Sequence, residues 1–141
     1  MKKRYIYIAT LALFLAACSD NELEQTSAPE QNTEIYIPAD AQPGELIIKF
    51  KPEMEEILDQ TMSRASRSGA AMTRSGIPST DEVLDILGGY HFERVFPVDS
   101  KNEARTRAAG LHLWYLVKFD EKVDLHEAAR QLSKLGDISH V

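Results

Sequence analysis

An α+β two-layer sandwich, with helices on one side of an antiparallel sheet, is predicted for residues 43–141 by three observations. Strand-like alternation recurs at Glu45–Lys51 and Leu111–Phe119. Apolar residues return at helical spacing after Pro52 and after Asp124. Turn residues separate these stretches at Gly88-Gly89 and at Gly136.

In the first strand, Leu46, Ile48 and Phe50 fall on one face, with Ile47, Lys49 and Lys51 on the other. Pro52 suits a first helical position. Glu53, Glu55 and Glu56 favour the positive start of that helix, and Arg64 and Arg67 its end. Met54, Ile57, Leu58, Met62 and Ala65 supply its apolar face. Residues 66–77, rich in Ser, Gly and Arg, are expected to form a mobile loop with Arg74-Ser75 as an exposed nicking site. Ser79 or Thr80 can cap a second helix, with Asp81 and Glu82 in its first turn. Gly88 suits the left-handed residue that ends it. Tyr90–Val98 reads as a second strand broken by Pro97, and Asp99–Gly110 as a charged connection.

Leu111, Leu113, Tyr115, Val117 and Phe119 alternate with His112, Trp114, Leu116 and Lys118 in the third strand. Its second face is only partly polar, so both sides are expected to be covered. Asp124 and Glu127 have capping-box spacing and open a helix through Leu125, Ala128, Ala129, Leu132 and Leu135. Residues 137–141 begin a last strand that reads as cut short. Strand, helix, strand, strand, helix, strand is the split βαβ order of a ferredoxin-like sandwich. Its sheet face opposite the helices would carry Trp114, Leu116 and Phe92 or Phe96. An apolar patch there marks a partner surface.

The 141 residues, with a net charge of -6 and one cysteine, suit a single domain. No basic patch is available to neutralise phosphates, which argues against nucleic acid. One cysteine excludes an internal disulfide and a cysteine-clustered zinc site. Lys2, Lys3 and Arg4 precede an apolar run from Tyr5 to Ala17, shorter than the about 20 residues a spanning helix needs. Residues 1–17 therefore read as a secretory signal peptide. Leu15-Ala16-Ala17-Cys18 resembles the lipobox of bacterial lipoproteins, which implies cleavage between Ala17 and Cys18 and lipid attachment at Cys18. The chain would then be exported and lipid-anchored in the cell envelope, at the outer membrane. Ser19-Asp20-Asn21-Glu22 reads either as a surface-export signal or as a solvated linker. Residues 18–42, acidic and without a basic side chain, read as a flexible tether in which Ile35-Tyr36-Ile37 could pair as a short edge strand.

Catalytic chemistry finds no support. No serine lies in a nucleophile-elbow context, and Cys18 is committed to lipid. His91, His112, His126 and His140 share no ligand spacing, so no metal site is expected. The carboxylates at 53–56 and 81–85 are helix-start charges. Gly88-Gly89 follows a helix, where a phosphate loop would precede one. No cofactor is called for. Trp114 beside Tyr115 reads as core plus interface rather than as a ligand platform.

Pro43–Lys51 resembles the opening strand of subtilisin-like serine protease propeptides, Gly88–Phe96 their glycine-led second strand, and Leu125–Val141 their last helix and strand. Thr73–Pro78 and Leu111–Leu116 resemble the N-terminal domain of subtilase-family lipoproteins from Gram-negative bacteria. The likeness spans about residues 43–141. It implies a non-catalytic domain that chaperones a subtilisin-like protease domain, in cis or as its product in trans, and restrains it. In that family the open sheet face docks on two protease helices, and a C-terminal tail occupies the active-site cleft. Trp114, Leu116 and Phe92 would be the docking residues. The tail has no counterpart here, nor do the protease's Asp, His and Ser motifs, so proteolysis does not belong to this chain. A stand-alone surface lipoprotein that binds a peptide, glycan or foreign protease is the rival expectation.

Overall fold

The structure is a computed structural model that describes residues 35–141. The expected signal peptide, Ala17, Cys18 and the acidic segment before residue 35 lie outside the described residues. Four strands and four helices follow in the order β1 (Glu45–Phe50), α1 (Glu55–Ser68), α2 (Pro78–Leu87), β2 (His91–Arg94), α3 (Glu103–Ala108), β3 (Trp114–Lys118), α4 (Leu125–Ser133) and β4 (Ile138–His140). Short 3-10 turns at Pro52–Met54 and Leu111–Leu113 lead into α1 and β3. The sheet runs β2-β3-β1-β4, and every neighbouring pair is antiparallel.

Alternation along the strands decides what is buried. Leu46, Ile48 and Phe50 of β1, Phe92 of β2, Tyr115 and Val117 of β3 and Ile138 of β4 point to the helices. They meet Leu58 of α1, Leu84 and Leu87 of α2, and Ala128, Ala129 and Leu132 of α4 in one apolar core. The two alanines of α4 leave room for close approach to the sheet. At the centre Phe92 stacks on Tyr115 at 4.7 Å, and Phe50 meets both rings edge-on at 6.0 and 5.5 Å. Edge-on and stacked pairs of this kind add about 0.5–1.5 kcal/mol each beyond their burial.

Several expected boundaries move. Residues 111–113 leave the strand because the β1–β3 ladder ends at Lys49 opposite Trp114, so they have no partner to pair with. The charged connection at 99–110 contains α3, whose six residues are too few to show a helical period. Asp99 accepts from the backbone N–H groups of Lys101 and Asn102 and so sets the turn that starts it. Pro78 occupies the first turn of α2, as its fixed φ favours, which places Ser79 and Thr80 inside the helix rather than at the cap. Asp124 does cap α4, accepting from the Glu127 N–H at 2.9 Å. Gly88 ends α2 at φ 71°, as expected for a left-handed cap.

Two expectations about mobile segments are corrected. Residues 66–68 belong to α1, which continues to a left-handed cap at Gly69. The stretch after it is tied down. Met72 O accepts from Phe92 N–H at 2.8 Å along the outer edge of β2. Ser75, expected to be exposed, is fully buried. The Asp81 carboxylate reaches back from α2 and accepts from the Ser75 N–H (2.7 Å), the Ser75 hydroxyl (2.8 Å) and the Gly76 N–H (3.1 Å). Arg74 is exposed but paired with Asp85 at 2.7 Å. Likewise, residues 35–42 are not simply tether. Ile37 packs against the core, and Tyr36 N–H donates to Val141 O at 3.2 Å beside β4.

The Asp81 cradle makes a prediction. Brief trypsin digestion should leave the Arg74–Ser75 bond intact in the parent chain and cut it at least about ten-fold faster in Asp81→Ala, because cleavage requires local opening. Equal cleavage of both proteins, read by mass spectrometry, would refute the tethered loop.

Candidate functional site

The register that buries one face of the sheet sorts the other face into three rows. Lys49 stands between Trp114 of β3 and His140 of β4. Ile47 lies opposite Leu116, which is opposite Glu93. Glu45 lies opposite Lys118, which is opposite His91. An apolar centre of Trp114, Leu116 and Ile47 is thus bordered by charge at both ends. Ile47 is 47% exposed, high for an isoleucine in a central strand. Trp114 and Leu116 are half-buried.

Residues 36–42 pass along one side of this face. With Ile47, Trp114, Leu116 and His140 they enclose a predominantly apolar groove of about 500 Å³. The two charged ends differ. At one, Lys118 Nζ donates to Glu45 Oε1 at 2.6 Å, which holds the Lys118 ammonium above its usual range, and His91 Nε2 lies 3.2 Å from Glu93. At the other, the Lys49 ammonium sits 5.3 Å from the centre of the Trp114 ring, which itself lies 5.7 Å from the His140 ring.

The structure brings Trp114 and Leu116 together on the open face and removes Phe92 from it. Phe92 pairs with Val117, whose side chain faces the helices, so Phe92 is 1% exposed and part of the core. Its place is taken by Ile47, which alternation in β1 had already put on the far side from Leu46 and Ile48. Arg74 and Ser75 lie by α2 and form no part of this face. Phe96, beyond the end of β2, is 41% exposed.

A second polar group lies on the helix side, between α1, α3 and the end of β2. Arg94, only 7% exposed, donates to Asp59 at 2.8 Å and to the Tyr115 hydroxyl at 2.9 Å. Arg107 of α3 binds Asp59, Glu55 and Glu103. This network staples α3 to α1. Burial opposes ionisation of Asp59, yet hydrogen bonds and charge from Arg94 and Arg107 outweigh it and hold its carboxyl below the ordinary 3.8. His112, 3% exposed, has Nε2 3.3 Å from Glu55. No group of three or more His, Cys, Asp or Glu among the described residues is arranged to hold a metal ion. No helix among them is long and apolar enough to cross a membrane.

Comparison of the chain with protein-family models, with curated proteins and with solved structures finds no match.

The lowered Asp59 carboxyl fixes the sign of one pH effect. Its stabilisation is present above the unfolded value of 3.8 and is lost as pH falls through the lower folded value. Asp59→Asn should lower stability near neutral pH by about 2–3 kcal/mol, by leaving Arg94 poorly paired. It should also flatten the fall in stability below about pH 4. Parallel pH profiles from urea unfolding would contradict the role given to Asp59.

Proposed function

We propose that this chain is a propeptide-like domain of a subtilisin-like serine protease precursor: a non-catalytic, ferredoxin-like sandwich that chaperones the protease domain and restrains it. The observation that carries this reading is the partly exposed apolar row of Ile47, Leu116 and Trp114 across the centre of the sheet, which residues 36–42 border on one side only. A sheet covered by helices on one face only has an unfilled second side, and an apolar patch there is built to be covered. The strand order β2-β3-β1-β4 with all neighbours antiparallel supports the ferredoxin-like assignment. The three stretches that resemble subtilase propeptides, and the two that resemble the N-terminal domain of subtilase-family lipoproteins, support the family.

The mechanism follows from the face. A protease domain dominated by non-local contacts folds slowly, because loop-closure entropy is lost before those contacts form. A rigid sheet that binds two of its helices side by side holds that arrangement before the rest of the domain closes. Trp114, Leu116 and Ile47 supply the apolar contact. Continued occupancy of the same surface would keep the domain on the finished protease, where any restraint would act without the cleft-filling tail of the family. Lipid attachment at Cys18, after cleavage behind Ala17, would keep this partnership at the membrane of the cell envelope.

The groove of about 500 Å³ beside residues 36–42 favours a second reading, because it is large enough for a few side chains or a small ligand. In that reading the chain is a stand-alone surface lipoprotein that binds a peptide or glycan.

Refolding separates the two. A denatured subtilisin-like protease domain encoded by the same genome should recover activity at least about ten-fold faster with the full chain present. Trp114→Ala should remove most of that gain while leaving the chain's own unfolding midpoint nearly unchanged, since the ring is only half-buried and central to the contact. Recovery that does not depend on the chain would reject the chaperone function and favour the ligand-binding module.

A further inference from the structure

The two ends of the open face are electrically unequal, and this inequality describes the partner. At the Glu45 end the Lys118 ammonium is answered within the chain by Glu45, and the His91 ring lies 3.2 Å from the Glu93 carboxylate. At the Trp114 end Lys49 has no carboxylate partner among the described residues. Its ammonium lies instead over the Trp114 ring, 5.3 Å from the ring centre. Gly110 lies beyond it, and a Cβ built there would come within 4.0 Å of Lys49 Cε and Nζ. The cation thus sits between the Trp114 ring and the turn at Gly110.

Among the described residues Lys49 borders the apolar row without a carboxylate partner, in a chain whose net charge is -6. The surplus of acid repels acidic surfaces in general, so a cation beside the apolar row selects one orientation.

We infer that the surface docking on this face carries a carboxylate that meets Lys49, placed at one end of an apolar ridge that covers Trp114, Leu116 and Ile47. This rests on the docking reading above and adds the partner's chemistry to it: a protease-domain surface with an Asp or Glu at the Trp114 end. At the Glu45 end no matching charge is needed, because Lys118 and Glu45 neutralise each other. A basic residue opposite Lys49 would be rejected, which supplies discrimination against unrelated protease domains.

The test is equilibrium binding of the full chain to the protease domain of the same genome, its active-site serine replaced by alanine. Lys49→Met keeps an unbranched side chain and removes the charge; it should weaken binding about five- to ten-fold at low salt. Lys49→Glu should weaken it by about 100-fold, and both losses should shrink several-fold at 0.5 M salt as the charges are screened. Lys118→Met, which disturbs only an internal pair, should stay within about two-fold of the parent. Unfolding midpoints equal to the parent's show that the variants fold. If the parent binds and Lys49→Glu binds as tightly, the carboxylate inference is overturned while the docking face stands. If the parent fails to bind although folded, both are overturned.

Discussion

Ile48 opposite Tyr115, in the central strand pair, sets the register on which the rest of the structure depends. With that pairing, Leu46, Ile48, Phe50, Tyr115 and Val117 all face the helices, and Ile47, Lys49, Trp114 and Leu116 all face away. A slip of β1 by one residue would turn Leu46, Ile48 and Phe50 outward and Ile47 and Lys49 inward. The exchange would be costly in both directions, burying Lys49 while taking Phe50 away from Phe92 and Tyr115. Core and candidate site are therefore two consequences of one register.

The periphery is fastened by polar contacts in which one side chain serves several backbone or ionic partners. Asp81 holds the segment before α2 by three hydrogen bonds. Arg107 gathers three carboxylates and thereby docks α3, a helix too short to be stable alone. The outer sheet edges are also managed: Met72 pairs with Phe92 beside β2, and Tyr36 with Val141 beside β4. These bonds cover part of both edges, so neither edge is a fully open template for strand addition.

Much of this was legible in the sequence, and the failures have physical causes. β1, the cap of α4 and the left-handed Gly88 follow from local rules of alternation, capping and turn conformation. Trp114 and Leu116 were placed correctly because a strand with buried Tyr115 and Val117 must turn its other residues outward. Phe92 was misplaced because β2 has only four residues, and its facing is set by a partner distant in sequence. The Ser- and Arg-rich stretch up to Ile77 looked mobile because composition does not reveal that Asp81 reaches back to it. Ile47 and Lys49 were visible as one face of β1; their importance came only when β3 was laid beside them.

In the proposed function, the open sheet face is the one that meets the protease domain. Trp114 is the chain's only tryptophan and sits in that face, so a 5-fluorotryptophan label gives a single fluorine resonance at the decisive spot. The full chain so labelled would be titrated with the unlabelled protease domain, its serine replaced by alanine. The account predicts that the resonance shifts and saturates at one equivalent as water leaves the ring. A complex that forms by sedimentation while the resonance keeps its free position would contradict it.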